Sequence, residues 1–450
     1  MLKKSKVLLM VSIFLVLALT LTAAAQAEVK NVILMVGDGL GMGQIDMARY
    51  MAGGKDFELE LMKMPNVGIM MTSSTQGVTD SAAAGTAMAT GHKVYNGAVA
   101  MNKNGAELDS VLDFAEVLKK STGVISTNKV TDATPATFIA SVEDRGMGAK
   151  IAEQALNNDV DVLLGGGRDE FTEDAEEDLV AKAKEMGYQY VSDKNQLNSV
   201  VPLHGKLLGL FNDSYMNYIL DRDDVDSMEP SLLEMTTKAI DVLSENEEGF
   251  FLMAEGARID HAAHAADVPG VVAETLDFDA SVKYAVDWAE ENGDTLVVVV
   301  ADHETMGFSV TETMNKEALM DIEVSPEYMA GQLVKTEEGN AYTTASIKDV
   351  FKEYADIELT TAEAEEFNSN VVNEDGSLYY AYKVGWEIGS VIAAKNNVGV
   401  VSSEVRATSD TGGHTLNSVP IFAYGSYADH FEGMMQNTEF ADLLFDALRP

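Results

Sequence analysis

The chain has 450 residues, with 73 Asp and Glu against 31 Lys and Arg for a formal charge of -42, 46% hydrophobic residues, 8 Pro and 0 Cys. That charge excludes a nucleic-acid or anionic-membrane binder, whose phosphates the surface would repel, and the apolar content excludes a disordered chain. Without cysteine there is no disulfide and no thiolate ligand, so any zinc must sit on His, Asp or Glu.

Lys3, Lys4 and Lys6 precede an apolar run over 7–21 and then Ala25-Gln26-Ala27, with no acid before Glu28. This is the pattern of a signal peptide over 1–27, and the run is shorter than the ~20 residues of a membrane span. The expectation is an exported protein, periplasmic or extracellular, whose mature chain starts near Glu28 and has no membrane span. The acidic excess reads either as a solvated surface or as adaptation to a salty habitat, where carboxylate repulsion is screened over ~10 Å or less.

Short β-rich apolar runs follow at 32–36, 123–126, 160–164, 250–254, 296–301 and 420–424. They alternate with helix-like stretches such as 108–120, 148–157 and 277–292. The alternation predicts an α/β fold, a large central mostly parallel sheet with helices on both faces. Ligands of such sheets bind beyond the carboxyl ends of the strands, where Asp38, residues 127–134, Glu255 and Asp302-His303 stand. From about 308 to 395 the rhythm breaks into Glu-rich pieces and a turn at Asn373-Glu-Asp-Gly376, read as an insertion over the site.

Gly37-Asp-Gly-Leu-Gly-Met-Gly43 matches neither G-x-G-x-x-G nor G-x-x-x-x-G-K-[ST], so it is no nucleotide loop. Asp38, in backbone that glycine lets come close, suits a metal; alone, the segment reads equally well as a turn whose acid caps the next helix. Thr79-Asp80-Ser81-Ala-Ala-Ala-Gly85-Thr places Ser81 in the first turn of a helix of small residues, where the helix end favours an alkoxide and a Zn²⁺ would activate it. Most serines so placed are plain caps. Asp132-Ala-Thr134-Pro135 predicts a helix start with Thr134 as N-cap, and Arg145 falls near that helix's end, compensating its dipole or gripping phosphate through two hydrogen bonds.

Asp260 and His264, four apart in Glu255-Gly-Ala-Arg-Ile-Asp-His-Ala-Ala-His264, share a helix face at about 5–6 Å and suit a common Zn²⁺, with His261 one residue off that face. Asp302-His303 ends a strand of almost pure valine, where a buried acid and imidazole need a partner such as a metal. His414, in Thr411-Gly-Gly-His-Thr415, completes the set or is a loop histidine with equal ease. His92, His204 and His430 lack acidic company and read as structural or surface residues.

Taken in this order, the segments from Asn31 to about Tyr424 closely resemble the alkaline phosphatase family. The resemblance implies two Zn²⁺ and one Mg²⁺. Asp260, His264 and His414 would hold one zinc. Asp38, Asp302 and His303 would hold the second, which Ser81 contacts. Asp38 would also bridge to a magnesium held by Glu255 and Thr134, with Asp132 acting through water. Arg145 would clamp phosphate, and His261, like Asp132, occupies a position that varies in the family and tunes the third metal.

The implied reaction hydrolyses phosphate monoesters to an alcohol and inorganic phosphate. Ser81 attacks phosphorus, and water on the first zinc then attacks the phosphoserine. The resemblance also implies a homodimer and a catalytic domain over 28–450, with a crown-like insertion at about 308–395. The chain departs from the best-known members in lacking cysteine, in pairing Asp132 with His261, and in its loosely similar stretch between His303 and His414. The competing readings are a two-metal phosphodiesterase or sulfatase-like hydrolase, although no sulfatase motif is present, and a non-catalytic exported binder of phosphate or metal.

Overall fold

The computed structural model describes residues 29–202, 205–373 and 375–449; the segment read as a signal peptide and His204 lie outside them. Its strands are β1 (Asn31–Gly37), β2 (Asn66–Met71), β3 (Ser121–Lys129), β4 (Val162–Gly166), β5 (Tyr188–Val191), β6 (Lys206–Leu210), β7 (Phe250–Gly256), β8 (Thr295–Val300), β9 (Glu304–Thr305), β10 (His414–Thr415), β11 (Val419–Gly425) and β12 (Gly433–Gln436). Ten form one sheet in the order β12-β2-β11-β8-β1-β7-β3-β4-β6-β5, and β9 pairs with β10 alone. β1 and β8 are buried at every position, because helices cover both faces. The Met42–Gly53, Leu232–Leu243 and Val268–Asn292 helices pack together as one layer. The Ser81–Thr90, Val111–Val117, Ala133–Ile139 and Asn437–Leu448 helices form the other.

Each apolar run expected from the sequence overlaps a strand, with one correction of direction. Residues 420–424 lie in β11, which pairs antiparallel with both β8 and β2. It runs against every other strand of the ten, since β2 and β12 are parallel to each other and the rest pair in parallel. The cause is the connection. β8 ends at the edge that bears Asp302 and His303, the following segment stays over that edge, and the chain re-enters the sheet from it and must run back.

That segment leaves and returns at paired positions, Ser309 opposite Gly399. Between them the Lys316–Met320, Pro326–Gly331, Thr344–Ala355, Thr361–Asn370 and Ala381–Lys395 helices enclose an apolar core that includes Leu319, Ile347, Phe351, Phe367, Val384 and Ile388. The last of these helices docks through two glycines. A Cβ on Gly389 would stand 1.8 Å from the Ala265 carbonyl oxygen, and one on Gly385 3.0 Å from the Glu327 nitrogen, so only glycine permits this approach. Among the described residues no helix is long and apolar enough to cross a membrane.

Candidate active site

Ser81 opens the Ser81–Thr90 helix, as expected, but the cap is Asp80, whose Oδ1 accepts from the Ala83 nitrogen at 2.9 Å. The helix is built of small residues because it lies close to the Ala133–Ile139 helix: a Cβ on Gly85 would meet the Thr137 hydroxyl at 2.8 Å. The Ser81 hydroxyl is buried 3.2 Å from His303 Nε2. Asp80 Oδ2 in turn accepts from the Gly97 nitrogen at 2.9 Å and from Arg145 at 3.2 Å. Asp132 approaches the other side of the guanidinium at 3.7 Å, so two carboxylates aim Arg145 at the cleft beside Ser81.

Two details at this corner differ from expectation. The N-cap of the Ala133–Ile139 helix is Asp132 rather than Thr134, because the backbone is extended at Asp132 and already helical at Thr134. Arg145 lies beyond that helix, not near its end: Ala140 is extended, and the Arg145 nitrogen donates to the Gly97 carbonyl at 2.9 Å. Arg145 therefore does not compensate that dipole.

The carboxyl ends of β1, β7 and β8 bring the acids together. Asp38, Asp302 and His303 offer ligand atoms within 4.8 Å of one another, and so do Asp260, His303 and His414. His264 joins this second group: its Nε2 is 3.1 Å from Asp260 Oδ2 and 3.2 Å from His414 Nε2. The Arg258–His264 helix thus places Asp260 and His264 on one face as the spacing predicted. His414 arrives because β11 is reversed, which puts its amino end, and β10 before it, at the edge where the parallel strands finish.

The donor set fits cations on two counts. His264 Nδ1 faces the Gly412 carbonyl at 2.8 Å and His414 Nδ1 faces the Thr79 carbonyl at 2.9 Å. With Nδ1 donating there, Nε2 of each neutral ring is free to ligate, and the two Nε2 atoms face Asp260 at 3.1 and 3.7 Å, an arrangement that suits a metal. Second, Asp38 Oδ1 and Asp302 Oδ2 are buried with no hydrogen-bond partner, a costly state that a cation relieves. Asp38 Oδ2 is 3.5 Å from the Thr134 hydroxyl, and Glu255 accepts from the Ser126 hydroxyl.

The titration behaviour agrees. Burial, with neighbouring carboxylates adding, holds Asp38 well above the usual carboxylate range; burial foremost pushes Glu255 up to about 8 and Asp302 to about 6. Burial takes His303 down to about 4 and His414 to about 3. Burial would raise Asp260 as well, but His264 and His414 outweigh it and hold this acid well below its ordinary value. Asp38, Glu255 and Asp302, which resist ionising beside imidazoles that resist protonation, mark a cavity short of positive charge, which bound cations would supply.

Two contributors escaped the sequence reading. Thr305 donates to Asp260 Oδ1 at 2.5 Å and lies 3.3 Å from His303 Nδ1, so one hydroxyl orients a member of each group. Nothing in the sequence marks it. Asp80 had a visible signal, an acid directly before a helix start, and was given no role. His261 lines the same cleft of about 970 Å³ as Ser81 and Arg145, with its Nδ1 2.6 Å from Arg258. Burial, then Arg258, lowers His261 to about 3.

A family model described as alkaline phosphatase matches residues 29–449. Alkaline phosphatase 4 of Bacillus subtilis is 35% identical over 439 residues, covering 94% of this chain and 89% of its own. The crystal structure of Thermus thermophilus alkaline phosphatase superposes with a TM-score of 0.81 at 28% identity, covering 94% of this chain and 92% of its own. A variant of the alkaline phosphatase from the Antarctic bacterium TAB5, solved with Mg bound in its M3 site, superposes at 0.66 with 28% identity, covering 94% and 99%.

Proposed function

The chain belongs to the alkaline phosphatase family and is a phosphate-monoester hydrolase, and on that premise we propose that it works through a phosphoserine at Ser81 beside two Zn²⁺ and one Mg²⁺. The observation that carries this reading is the Ser81 hydroxyl, 3.2 Å from His303 Nε2, which belongs to both groups of ligand atoms, in a cleft that Arg145 also lines. Asp260, His264 and His414 would hold one zinc, Asp38, Asp302 and His303 the second, and Asp38, Glu255 and Thr134 the magnesium, with Asp132 through water. When bound, the three ions supply Lewis-acid polarisation of the phosphoryl oxygens and lower the pKa of hydroxyl and water.

The chain's own groups do the rest. Arg145, aimed by Asp80 and Asp132, holds two phosphoryl oxygens and sets phosphorus in line with Ser81 Oγ. The Ser81 oxygen forms its bond to phosphorus as the ester oxygen leaves with the electron pair and takes a proton as the alcohol. Water then cleaves the Ser81–phosphorus bond, releasing phosphate and returning the proton to Ser81. Thr305 keeps Asp260 and His303 from turning while charge passes between the two states.

The catalytic unit then spans 28–450 with 308–395 inserted, follows a cleaved leader over 1–27, and acts in the periplasm or outside the cell. Its homodimer would use the apolar residues exposed on β2 and β12, Val67, Ile69 and Met434. Acid quench of the enzyme with ³²P-labelled substrate at low pH tests the mechanism: label is expected on the Ser81 peptide and absent in Ser81→Ala, which keeps its fold and metal content and loses orders of magnitude in turnover. Label elsewhere, or full turnover in Ser81→Ala, removes Ser81. Metal analysis of the purified protein is expected to give zinc and magnesium in a ratio of about two to one.

A further inference from the structure

The cleft is much larger than a phosphate group needs, and the side facing away from Ser81 is built differently from the rest. His303, His414, His264 and Trp386 form a column of near-parallel rings. Successive centroids lie 3.7, 5.0 and 4.8 Å apart, with interplanar angles of 28, 26 and 24°. The column starts 3.2 Å from the Ser81 hydroxyl and ends on Trp386 in the cleft wall. Tyr382 stands edge-on to Trp386 at 5.6 Å and 75°, and Tyr380 stacks on Tyr382 at 6.4 Å and 7°.

This wall is rigid where it meets the site and open where it meets the cleft. Arg406, itself 7% exposed, donates to the His264 and Trp386 carbonyls at 2.8 and 3.2 Å and to the Ser390 hydroxyl at 2.9 Å, fixing Trp386 from behind. The glycines at 385 and 389 hold the supporting helix against Glu327 and Ala265. Tyr382 and Tyr380, by contrast, are 41 and 79% exposed, large ring surfaces for which the chain itself provides no full cover. Solvent-facing tyrosines on a fixed tryptophan lose little conformational entropy when a flat group settles on them.

We infer that Trp386 and Tyr382 form a subsite for the leaving group, selecting phosphate monoesters whose alcohol carries a flat aromatic ring. The inference rests on the monoesterase reading. It follows from position: Ser81, His264, His414, Trp386 and Tyr382 line one cleft, so the group esterified to a phosphoryl held at Ser81 lies within that cleft, whose wall carries Trp386 and Tyr382. Tyr382 and Trp386 act on the substrate's ring and take no part in bond making.

The test compares kcat/KM for 1-naphthyl phosphate, adenosine 5′-monophosphate and glycerol 2-phosphate in wild type, Tyr382→Ala and Tyr382→Phe. Ring contacts of this kind lower the ring-ester to glycerol-ester ratio by roughly 3- to 30-fold when the aromatic group is removed. Tyr382→Ala should show that drop with the inhibition constant for inorganic phosphate held, and Tyr382→Phe, which keeps the ring, should restore the ratio. Titration of the Ser81→Ala protein with 1-naphthyl phosphate and glycerol 2-phosphate by calorimetry makes the same comparison without turnover. Absence of wild-type turnover on all three esters, with a ring preference kept in binding, would sink the monoesterase reading and leave the subsite standing. A ratio unmoved by Tyr382→Ala, an equal loss on all three esters, or equal affinities in the titration would overturn the subsite, including the case in which a second copy of the chain covers the tyrosines.

Discussion

Replacing Arg145 by alanine separates a monoesterase from a diesterase. A monoester presents two free dianionic oxygens to one guanidinium, and each charge-assisted hydrogen bond contributes about 1.5–3 kcal/mol, which sets an upper bound of about 3–6 kcal/mol. That bound must be discounted, because the Arg145 side chain is 34% exposed and is already neutralised by Asp80 at 3.2 Å and Asp132 at 3.7 Å. A loss of about 2–4 kcal/mol, or roughly 30- to 1000-fold in kcat/KM, is expected for a nitrophenyl monoester. A diester has one charge fewer and a substituent where the fork would bind, so its loss should be far smaller. The fold should survive, since Asp80 keeps the Ala83 and Gly97 nitrogens and Asp132 keeps Asn128 at 2.6 Å. Arg145→Lys should recover only part, keeping the charge and losing the planar fork. The assay is kcat/KM on nitrophenyl phosphate and bis-nitrophenyl phosphate for all three proteins, with melting temperatures alongside. Equal losses on both esters, or a wild type that prefers the diester, would refute the reasoning.

Chelation should abolish activity and lower the melting temperature, with zinc restoring activity and magnesium raising it further; full activity of a demonstrably metal-free protein would overturn the ligand assignment. The metal-free protein should also lose stability as pH rises from about 6.5 to 8. The folded-state pKa values of Glu255, about 8, and of other buried acids are raised, so the folded state there binds more protons than the unfolded one and the slope is negative; the lowered imidazoles contribute only below their unfolded value of 6.5. A flat or rising melting temperature over that range contradicts this. Gly389→Ala should cost about 1–3 kcal/mol, because its Cβ meets a backbone carbonyl at 1.8 Å rather than a side chain that can turn away; an unchanged thermal melt refutes the close approach. Raising salt from low to molar should raise stability, as screening relieves a charge of -42; no gain would argue against repulsion as a cost.

The site was legible because its residues carry two signals at once. Asp38, Glu255 and Asp302-His303 each end an uninterrupted apolar run, so the run located the strand and the acid located its carboxyl end. Asp260 and His264 announced a shared face by spacing alone. What escaped was set by tertiary contact. β2, β5 and β12 lie at or near the sheet margins, where half-exposed residues dilute the apolar pattern, as the exposed Val67 and Ile69 within β2 illustrate. The direction of β11 leaves no trace in its composition, since a strand buried on both faces reads the same either way. The stretch from 308 to 395 shows in the sequence only as a break in rhythm, and its helices and the contact of Trp386 with His264 depend on Gly385 and Gly389 meeting partners more than fifty residues away. Thr305 is one hydroxyl among many until the fold brings Asp260 beside it.

The reversed course of β11 also gives the molecule a schedule. Asp38, Asp302 and His303 all precede the inserted helices, so a chain that has emerged from the ribosome only as far as His303 already contains that group in full. The other group waits for His414, which reaches the sheet edge only when β11 slots between β8 and β2, after the whole insertion has been synthesised. Stalled or truncated products therefore contain the nucleophile and one cluster, yet lack the imidazole that completes the second. The second group therefore comes together only in a chain long enough to include His414 and to pair β11 with β8 and β2.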